Sequence, residues 1–214
     1  MLALDEIKEI EDMNLLIIGE TGVGKTPIAQ YANRVMTNGT DRPFVRINCA
    51  GISKERMQDE MFGHKKGAYT GAECDKKGLV EIADGGDLFL DEIGDLPLDC
   101  QADLLMFLDS DEYRRVGETT LRCAKNRIIA ATNKDLDNEV NEGRFRKDLY
   151  SRLSQYRVSI PPLRERKEDI LPIMEYYINK YAGFNKPYSD EVKKAYLEND
   201  FCEGNVRELK DSVK

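Results

Sequence analysis

The chain has 214 residues, of which 41% are hydrophobic and 34% are charged, a composition typical of a globular protein with a strongly hydrated surface. Its 40 acidic and 32 basic residues give a net charge of −8, which argues against a surface that coats nucleic acid, because such a surface needs clustered basic residues. The apolar runs fall short of the roughly 20 residues that span a bilayer, and residues 1–13 are acidic where a signal peptide would be basic and then apolar. We therefore predict a cytoplasmic protein with no membrane partner.

Short apolar runs alternate with helix-like segments over the first three quarters of the chain. The predicted strands are Leu15–Ile18, Phe44–Asn48, Leu79–Ile82, Leu88–Leu90, Ile128–Thr132 and Tyr156–Ile160. The predicted helices between them are Pro27–Met36, Lys54–Met61, Leu98–Leu108, Leu136–Asn141 and Arg146–Leu153. Because several of these strands are apolar throughout, as strands covered on both faces are, the pattern predicts an α/β three-layer sandwich with a parallel central sheet.

The pattern changes after the two prolines at positions 161 and 162. Only helical periodicity follows, in the segments Glu168–Tyr181, Ser189–Asn199 and Asn205–Lys214. We therefore predict two domains, an α/β nucleotide-binding subdomain over residues 1–164 and a small all-helical lid over residues 165–214. The last helix shows no cap or breaker before Lys214, so we expect it to be incomplete at its C-terminal end.

The segment GETGVGKT follows the first predicted strand and precedes a helix, which is the context that the phosphate-loop pattern G-x-x-x-x-G-K-[ST] requires. Its glycines let backbone N–H groups point inward, and the helix N-terminus adds a partial positive charge. We predict that Lys25 contacts the β- and γ-phosphates of ATP and that the Thr26 hydroxyl binds Mg²⁺. The other predicted nucleotide contacts are Gly19, Glu20, Thr21, Gly22, Val23 and Gly24.

Two adjacent acidic residues, Asp91 and Glu92, end the apolar strand Leu88–Leu90. Strand ends in open α/β sheets face the ligand crevice, so Asp91 is placed to hold Mg²⁺ and Glu92 to polarise a water for attack on the γ-phosphate. The alternative is an ordinary acidic junction between a strand and a loop. The phosphate loop upstream favours the catalytic interpretation.

Six segments together resemble one family, the AAA+ ATPase domain of bacterial enhancer-binding proteins, which activate sigma-54 RNA polymerase. They are FGHKKGAYTGA (62–72), LFLDEIGDLPL (88–98), AATN (130–133), FRKDLYSRL (145–153), PPLRER (161–166) and GNVREL (204–209). The resemblance runs from about Leu15 to the last residue. It implies the AAA+ fold with a helical lid, Mg²⁺-dependent ATP hydrolysis, a hexameric ring of identical subunits and sigma-54 RNA polymerase holoenzyme as partner. DNA is then contacted only through a domain that this chain does not contain.

The hexapeptide GAYTGA combines small residues with one aromatic and one hydroxyl side chain. Glycine and alanine flanks can leave Tyr69 and Thr70 at the tip of a flexible loop, but Tyr69 can equally fold back onto the body of the protein. The family resemblance favours the exposed tip and implies that the loop touches the sigma factor and moves with the nucleotide state. The implied contact residues are Gly67, Ala68, Tyr69, Thr70, Gly71 and Ala72. Tyr69 replaces the family's usual Phe, and its added hydroxyl predicts a working but altered loop.

The stretch from Arg144 to Lys167 holds eight basic and two acidic residues in an otherwise acidic chain. It predicts either a nucleic-acid patch or a surface that meets an acidic neighbour, and solvated arginines are the simplest alternative. The resemblance implies that Arg146 and Arg152 are arginine fingers that reach the ATP site of the adjacent subunit. Six helical positions place the two side chains about 120° apart, so we expect one direct finger and one positioning group.

The resemblance assigns three further roles. Asn133 corresponds to the first sensor of the γ-phosphate, Arg207 to the second sensor, and Asn48 to the asparagine that restrains the catalytic glutamate, although each could simply cap a turn or face water. Two segments depart from the family pattern: Thr26 stands where Glu is frequent, and Phe201–Asn205 lacks an aromatic-proline turn, which we expect to loosen the lid hinge. Arg115–Glu118 is similar to the family's second mobile loop.

Three other functions remain open from the residues alone. A different AAA+ machine, such as an unfoldase or clamp-loader relative, would share the ATP site without needing GAYTGA. A nucleotide-gated scaffold would bind ATP without hydrolysing it, which the intact Glu92, Arg146 and Arg152 argue against. A small phosphate-loop kinase would have no reason to form rings.

Overall fold

The computed structural model describes residues 13–36, 42–182 and 188–214. Most of the acidic amino-terminal segment, on which the prediction of no signal peptide depends, lies outside these residues. The described chain forms two compact units, one of residues 13–18 and Thr26–Val158 and the other of Gly19–Lys25 and Ser159–Lys214. This division differs from the predicted domains 1–164 and 165–214 in grouping the phosphate loop with the carboxyl-terminal residues. No helix among the described residues is long and apolar enough to cross a membrane.

The elements follow the alternating pattern of the sequence. The strands are β1 (Leu15–Ile18), β2 (Phe44–Asn48), β3 (Gly63–His64), β4 (Lys76–Lys77), β5 (Asp87–Asp91), β6 (Glu112–Tyr113), β7 (Arg122–Cys123), β8 (Arg127–Thr132) and β9 (Tyr156–Ser159). The helices are α1 (Lys25–Met36), α2 (Lys54–Phe62), α3 (Leu79–Ile82), α4 (Leu98–Ser110), α5 (Leu136–Asn141), α6 (Lys147–Leu153), α7 (Ile170–Ala182), α8 (Asp190–Glu198) and α9 (Asn205–Ser212).

Five strands form the central sheet in the order β2-β5-β8-β1-β9, and the predicted parallel sheet is confirmed. The register pairs Asn48 with Asp91 and Ile18 with Thr132, so the carboxyl ends of neighbouring strands are level. This alignment places the residues that follow β2, β5 and β8 at one edge of the sheet, where open α/β folds bind their ligands.

Both faces of the sheet are buried, as the apolar strands predict. On one face Leu16, Leu88 and Ile128 belong to a core that also contains buried side chains of α2, α4 and α6. The alternating residues, which point to the opposite face, are also fully buried: Leu15, Ile17, Phe89, Ile129 and Ala131. Burial on both faces explains why these strands read as continuous apolar runs instead of alternating ones.

The prediction of a strand at Leu79–Ile82 is wrong, because these residues form the short helix α3. The N–H groups of Ile82 and Ala83 bond to the carbonyls of Gly78 and Leu79, the spacing of an α-helical turn. A four-residue apolar run is too short for its periodicity to separate a buried strand from a buried helix. The next predicted strand, Leu88–Leu90, is present as β5.

The second unit carries the carboxyl-terminal helices α7, α8 and α9 around a small apolar core that includes Leu163, Ile170, Phe201 and Leu209. The Ser189 hydroxyl caps α8 by accepting the N–H of Val192, which confirms the predicted helix start. The final helix ends at Ser212, so the predicted extension to Lys214 is wrong.

Candidate functional site

The phosphate loop, Gly19–Thr26, connects β1 to α1 and has the backbone shape that its glycines allow. Gly22 and Gly24 have φ values of +82° and +108°, which other residues adopt only with strain. The Lys25 side chain is buried, and its ammonium donates to the carbonyl oxygens of Gly19 at 3.0 Å and Glu20 at 3.4 Å. The predicted strand, loop and helix context is therefore present, with α1 starting at Lys25.

The side chain of Glu20 is held by two residues from the far end of the chain. The Arg164 guanidinium donates to both carboxylate oxygens, at 2.9 and 2.6 Å, and Asn205 Nδ2 donates to one of them at 3.1 Å. These hydrogen bonds lower the pKa of Glu20 to about 2, with that from Arg164 contributing most. Glu20 is therefore ionised at neutral pH, and its two partners belong to the same unit as the phosphate loop.

The second predicted sensor lies beside the same loop. A Cβ added to Gly22 would come within 2.1 Å of the Gly204 carbonyl oxygen and 3.2 Å of the Arg207 Cβ. Arg207 sits in the first turn of α9, so the predicted sensor helix packs directly against the glycine of the phosphate loop. The segment that lacks the family's aromatic-proline turn begins at Phe201, which has a left-handed backbone (φ 46°).

The acidic pair stands at the carboxyl end of β5 in the first unit. Asp91 is buried and forms an ion pair with Arg46 at 2.6 Å, which the sequence reasoning missed. Alternation along β2 offered a signal, because Arg46 lies on the same side of that strand as Asn48. Glu92 follows with a left-handed backbone (φ 52°), a conformation that is uncommon for a residue other than glycine and recurs at functional sites.

The predicted asparagines lie next to these acids along the sheet edge. Asn48 pairs in register with Asp91, and its Oδ1 accepts the N–H of Ala50 at 3.0 Å. Asn133 is exposed and directly follows β8. A restraint of Glu92 by Asn48 stays a prediction. Cys49 directly follows β2. Burial, together with the nearby charge of Asp91, raises the pKa of its thiol to about 12.

The two predicted finger arginines have exposed side chains held by nearby carboxylates. Arg146 donates to Asp148 at 3.0 and 2.8 Å, and Arg152 donates to Asp109 at 2.7 Å. Arg146 immediately precedes α6 with an extended backbone, so the expectation of a 120° separation on one helix is wrong. Exposed ion pairs of this kind are weak, which leaves both guanidinium groups available to another partner.

The GAYTGA loop, Gly67–Ala72, tops a hairpin formed by β3 and β4. The Tyr69 side chain folds back from this tip onto Asp59 and His64, which corrects the prediction of an aromatic side chain that projects freely. Its hydroxyl lies 3.3 Å from Asp59 Oδ1 and 3.2 Å from His64 Nδ1, and its ring meets the His64 ring edge-on at 5.1 Å. Tyr69 nevertheless remains 46% exposed. The family's usual Phe could not make either hydroxyl contact.

The ionisation of Asp59 fixes the direction of these hydrogen bonds. Burial alone would raise the pKa of Asp59, but hydrogen bonds from Lys76 and His64 outweigh it and lower the pKa. An ionised carboxylate only accepts, so His64 Nδ1 carries a proton and the Tyr69 hydroxyl donates to Asp59. This cluster links the tip of the hairpin to α2. It was not predicted, because nothing in the spacing of Asp59 and Tyr69 marks them as partners.

The predicted second loop, Arg115–Glu118, packs against the first. Val116 exchanges backbone hydrogen bonds with Gly63 and Lys65, and a Cβ on Gly117 would lie 2.7 Å from that of Ala68. Arg115 is buried and donates to Glu81 at 2.6 Å. A movement of either loop therefore has to be accommodated by the other.

Comparisons with known proteins agree with this architecture. The family described as "Sigma-54 interaction domain" matches residues 2–159. The alginate biosynthesis transcriptional regulatory protein AlgB of Pseudomonas putida is 45% identical over 208 residues, 95% of this chain and 46% of AlgB. The Nif-specific regulatory protein of Azospirillum lipoferum is 42% identical over 93% of this chain and 32% of its own length. The chain thus spans less than half of these curated relatives.

A solved structure of NtrX from Brucella abortus, in complex with ATP, matches the whole of this chain with a TM-score of 0.83 at 32% identity. The match covers 50% of the NtrX chain. These findings confirm the fold and the family that the six motifs predict. The chain belongs to the sigma-54 interaction domain family, the AAA+ ATPase domains of bacterial sigma-54-dependent transcriptional activators.

Proposed function

We propose that this chain hydrolyses ATP with Mg²⁺ in the cytoplasm and uses the energy to remodel sigma-54 RNA polymerase holoenzyme so that promoter DNA can open. The hairpin that presents GAYTGA carries this proposal, because an ATPase of another kind would need the phosphate loop but not this hairpin. Contact with DNA itself is assigned to a domain outside this chain.

The phosphate loop fits the phosphates of ATP. Its left-handed glycines, Gly22 and Gly24, give the loop a backbone that can turn N–H groups toward phosphates, and α1 begins directly at Lys25. Lys25 already has its ammonium inside the loop, where phosphate oxygens would replace the carbonyls of Gly19 and Glu20. Arg207 is proposed to complete the site from α9.

The donor set also fits Mg²⁺, which proteins hold through one or two side chains together with substrate phosphates. Among the described residues no group of three or more His, Cys, Asp or Glu side chains is arranged to hold a metal ion. We assign the Thr26 hydroxyl and the Asp91 carboxylate to the metal, which would neutralise phosphate charge. Arg46 balances the charge of Asp91 in this structure.

Glu92 is proposed as the general base that takes a proton from the attacking water, a role worth about 10²–10⁴-fold in rate. Its left-handed backbone at the end of β5 fixes the direction in which the carboxylate leaves the sheet. Asn48 ends β2 and Asn133 follows β8, the two strands that flank β5, and we propose that Asn48 restrains Glu92 and Asn133 senses the γ-phosphate.

Hydrolysis is proposed to need a neighbouring subunit in a hexameric ring. Within the described part of the chain, the exposed side chains of Arg146 and Arg152 each pair with one exposed carboxylate, and such weak contacts let each leave it for the ATP of an adjacent protomer. A guanidinium supplied in this way stabilises the charge of the transferring phosphoryl group and makes turnover depend on assembly.

The nucleotide state is proposed to reach sigma-54 through the GAYTGA loop. Release of the Tyr69 hydroxyl from Asp59 and His64 would free the aromatic ring to act as an anchor on the partner. Gly67, Thr70 and Gly71 are exposed, so the part of the loop next to Tyr69 can change without displacing buried side chains.

Binding of purified sigma-54 in the presence of ADP–aluminium fluoride, a transition-state mimic, tests the proposal. We expect a stable complex with ADP–aluminium fluoride and none with ADP alone. Tyr69→Ala should abolish the complex while ATP turnover stays within about twofold, and Tyr176→Ala, an exposed tyrosine on α7, serves as the matched control. Equal binding in both nucleotide states, or in neither, would contradict the proposal.

A further inference from the structure

The backbone carbonyl groups of the phosphate loop accept hydrogen bonds from side chains to which the family resemblance assigns no such role. A loop that presents N–H groups to phosphates turns its carbonyls outward, where they need hydrogen-bond donors of their own. Lys25 covers the carbonyls of Gly19 and Glu20, but the same ammonium is the one that phosphates would attract. Other donors have to hold the loop once Lys25 turns to the ligand.

Those donors come from the carboxyl-terminal residues of the second unit, to which Gly19–Lys25 also belong. Asn205 Nδ2 donates to the Thr21 carbonyl at 3.2 Å, and Arg166 donates to the Val23 carbonyl at 2.8 Å. Arg164 does not reach a carbonyl but binds the Glu20 carboxylate through both of its terminal nitrogens. We name Arg164, Arg166 and Asn205 the phosphate-loop clamp.

Asn205 shows how closely this arrangement is specified. It is 2% exposed and has a left-handed backbone (φ 53°), a strained conformation that Asn tolerates better than most residues. Both ends of its amide are used, because Nδ2 donates to Glu20 and Thr21 while Oδ1 accepts the N–H of Leu163 at 2.8 Å. A buried amide satisfied in this way fixes the spacing between the loop, the Leu163 segment and the start of α9.

We propose that the phosphate-loop clamp preorganises the loop for nucleotide, holding the carbonyls of Thr21 and Val23 outward so that the N–H groups remain directed at the phosphates. The inference rests on the proposed ATP site. Because the clamp residues belong to the segments that begin the carboxyl-terminal helices, a displacement of these segments loosens the loop. Arg164, Arg166 and Asn205 are thus positioning residues that tie nucleotide affinity to the placement of the helices.

Removing the charge of Glu20 tests the inference, because two explanations predict opposite changes in nucleotide affinity. A carboxylate beside bound phosphates repels them, so electrostatics alone predicts that Glu20→Gln tightens nucleotide binding. The clamp predicts the opposite, because the neutral amide loses the bidentate contact with Arg164 and frees the loop. The two accounts therefore differ in direction and not only in size.

Isothermal titration of Mg²⁺–ADP into the full chain separates them. We expect Glu20→Gln and Arg164→Gln each to raise the Kd about tenfold, and the double variant to be no weaker than the weaker single one, because the two side chains act as a pair. Lys194→Gln on α8 removes one charge from the same unit, away from the loop, and should leave the Kd unchanged. Tighter or unchanged binding by Glu20→Gln, or additive losses in the double variant, would overturn the clamp.

Asn205→Asp provides an independent test that keeps the backbone. Asp tolerates the left-handed conformation and still accepts from Leu163, but it cannot donate to Thr21. We expect a Kd for ADP at least tenfold higher, with kcat/KM for ATP reduced more than kcat and a far-ultraviolet spectrum like that of Lys194→Gln. An unchanged Kd with wild-type folding would refute the clamp. If the wild-type chain itself bound no ADP, the proposed function would fail instead.

Discussion

The phosphate loop and the GAYTGA loop are both rich in glycine and both contain left-handed glycines, yet their surroundings differ sharply. A Cβ on Gly22 would strike the Gly204 carbonyl at 2.1 Å, whereas one on Gly67 or Gly71 would meet no atom within 4 Å. Buried or ionised side chains tie down the phosphate loop, while the GAYTGA loop is held at its tip by the Tyr69 hydroxyl. Glycine content alone therefore does not separate a rigid ligand-binding loop from one that can move.

The largest effect is expected at Arg146, the proposed finger toward the ATP of a neighbouring subunit. Arg146→Ala should lower the ATP turnover number at least 10³-fold, because the transferring phosphoryl group loses a guanidinium. Arg157→Ala, which removes a nearby guanidinium that stacks on Tyr150, is the matched control. Steady-state ATPase assays at a concentration that supports assembly check the difference, and a turnover number within threefold of wild type would remove the finger role.

The glycines provide the next test. Gly22→Ala combines backbone strain with a backbone clash and should raise the Kd for ADP about 100-fold. Gly71→Ala carries only the strain of its positive φ, about 1–2 kcal/mol, and should leave ADP binding unchanged. Titration calorimetry on the two variants checks this prediction. Equal effects on ADP binding would show that the loops are not supported differently.

Removing the tyrosine hydroxyl should have a smaller effect. Tyr69→Phe loses a hydrogen bond worth about 0.5–1.5 kcal/mol, so amide exchange over residues 67–72 should accelerate about two- to tenfold in the absence of nucleotide. Tyr181→Phe, on α7, is the control. Unchanged exchange in Tyr69→Phe would show that the hydroxyl does not hold the loop.

The smallest expected effect concerns Glu81, which binds Lys77 of the hairpin that carries GAYTGA and Arg115 of the second loop. Burial alone would raise the pKa of Glu81, but hydrogen bonds from Arg115, Lys77 and Tyr113 outweigh it and lower the pKa to about 2. A depressed folded-state pKa stabilises the protein above the unfolded value of 4.5, and this contribution is lost as the pH falls toward 2. The difference in unfolding free energy between wild type and Glu81→Gln, measured by urea denaturation, should therefore shrink between pH 5 and pH 3 (about one unit either side of the ordinary carboxyl pKa). A constant difference would contradict it.

Local patterns predicted much of this structure because their causes are local. The apolar runs predicted the parallel sheet, and the spacing of GETGVGKT predicted a loop between β1 and α1. The prediction of a strand at Leu79–Ile82 was wrong because a short apolar run suits a buried helix as well as a buried strand. The helix predicted to begin at Arg146 begins one position later, so Arg146 precedes α6 and does not share its periodicity.

Contacts between distant residues were out of reach of such patterns. Glu20 and Arg164 are 144 positions apart, and their pairing depends on how the second unit folds. The turn of Tyr69 back to Asp59 follows from a cluster that includes His64 and Lys76, each of which has ordinary surface alternatives. The sequence shows these residue types, but it does not show which of them contact one another in the folded protein.

The central claim is that the nucleotide state controls the GAYTGA loop. Amide hydrogen exchange over residues 65–75, compared between ADP and ADP–aluminium fluoride, tests it most directly, with Arg146→Ala as the variant that breaks the link between protomers. We predict faster exchange at residues 67–72 in the ADP–aluminium fluoride state of the wild type and no difference in Arg146→Ala. Identical exchange in the two nucleotide states of the wild-type protein would contradict the account.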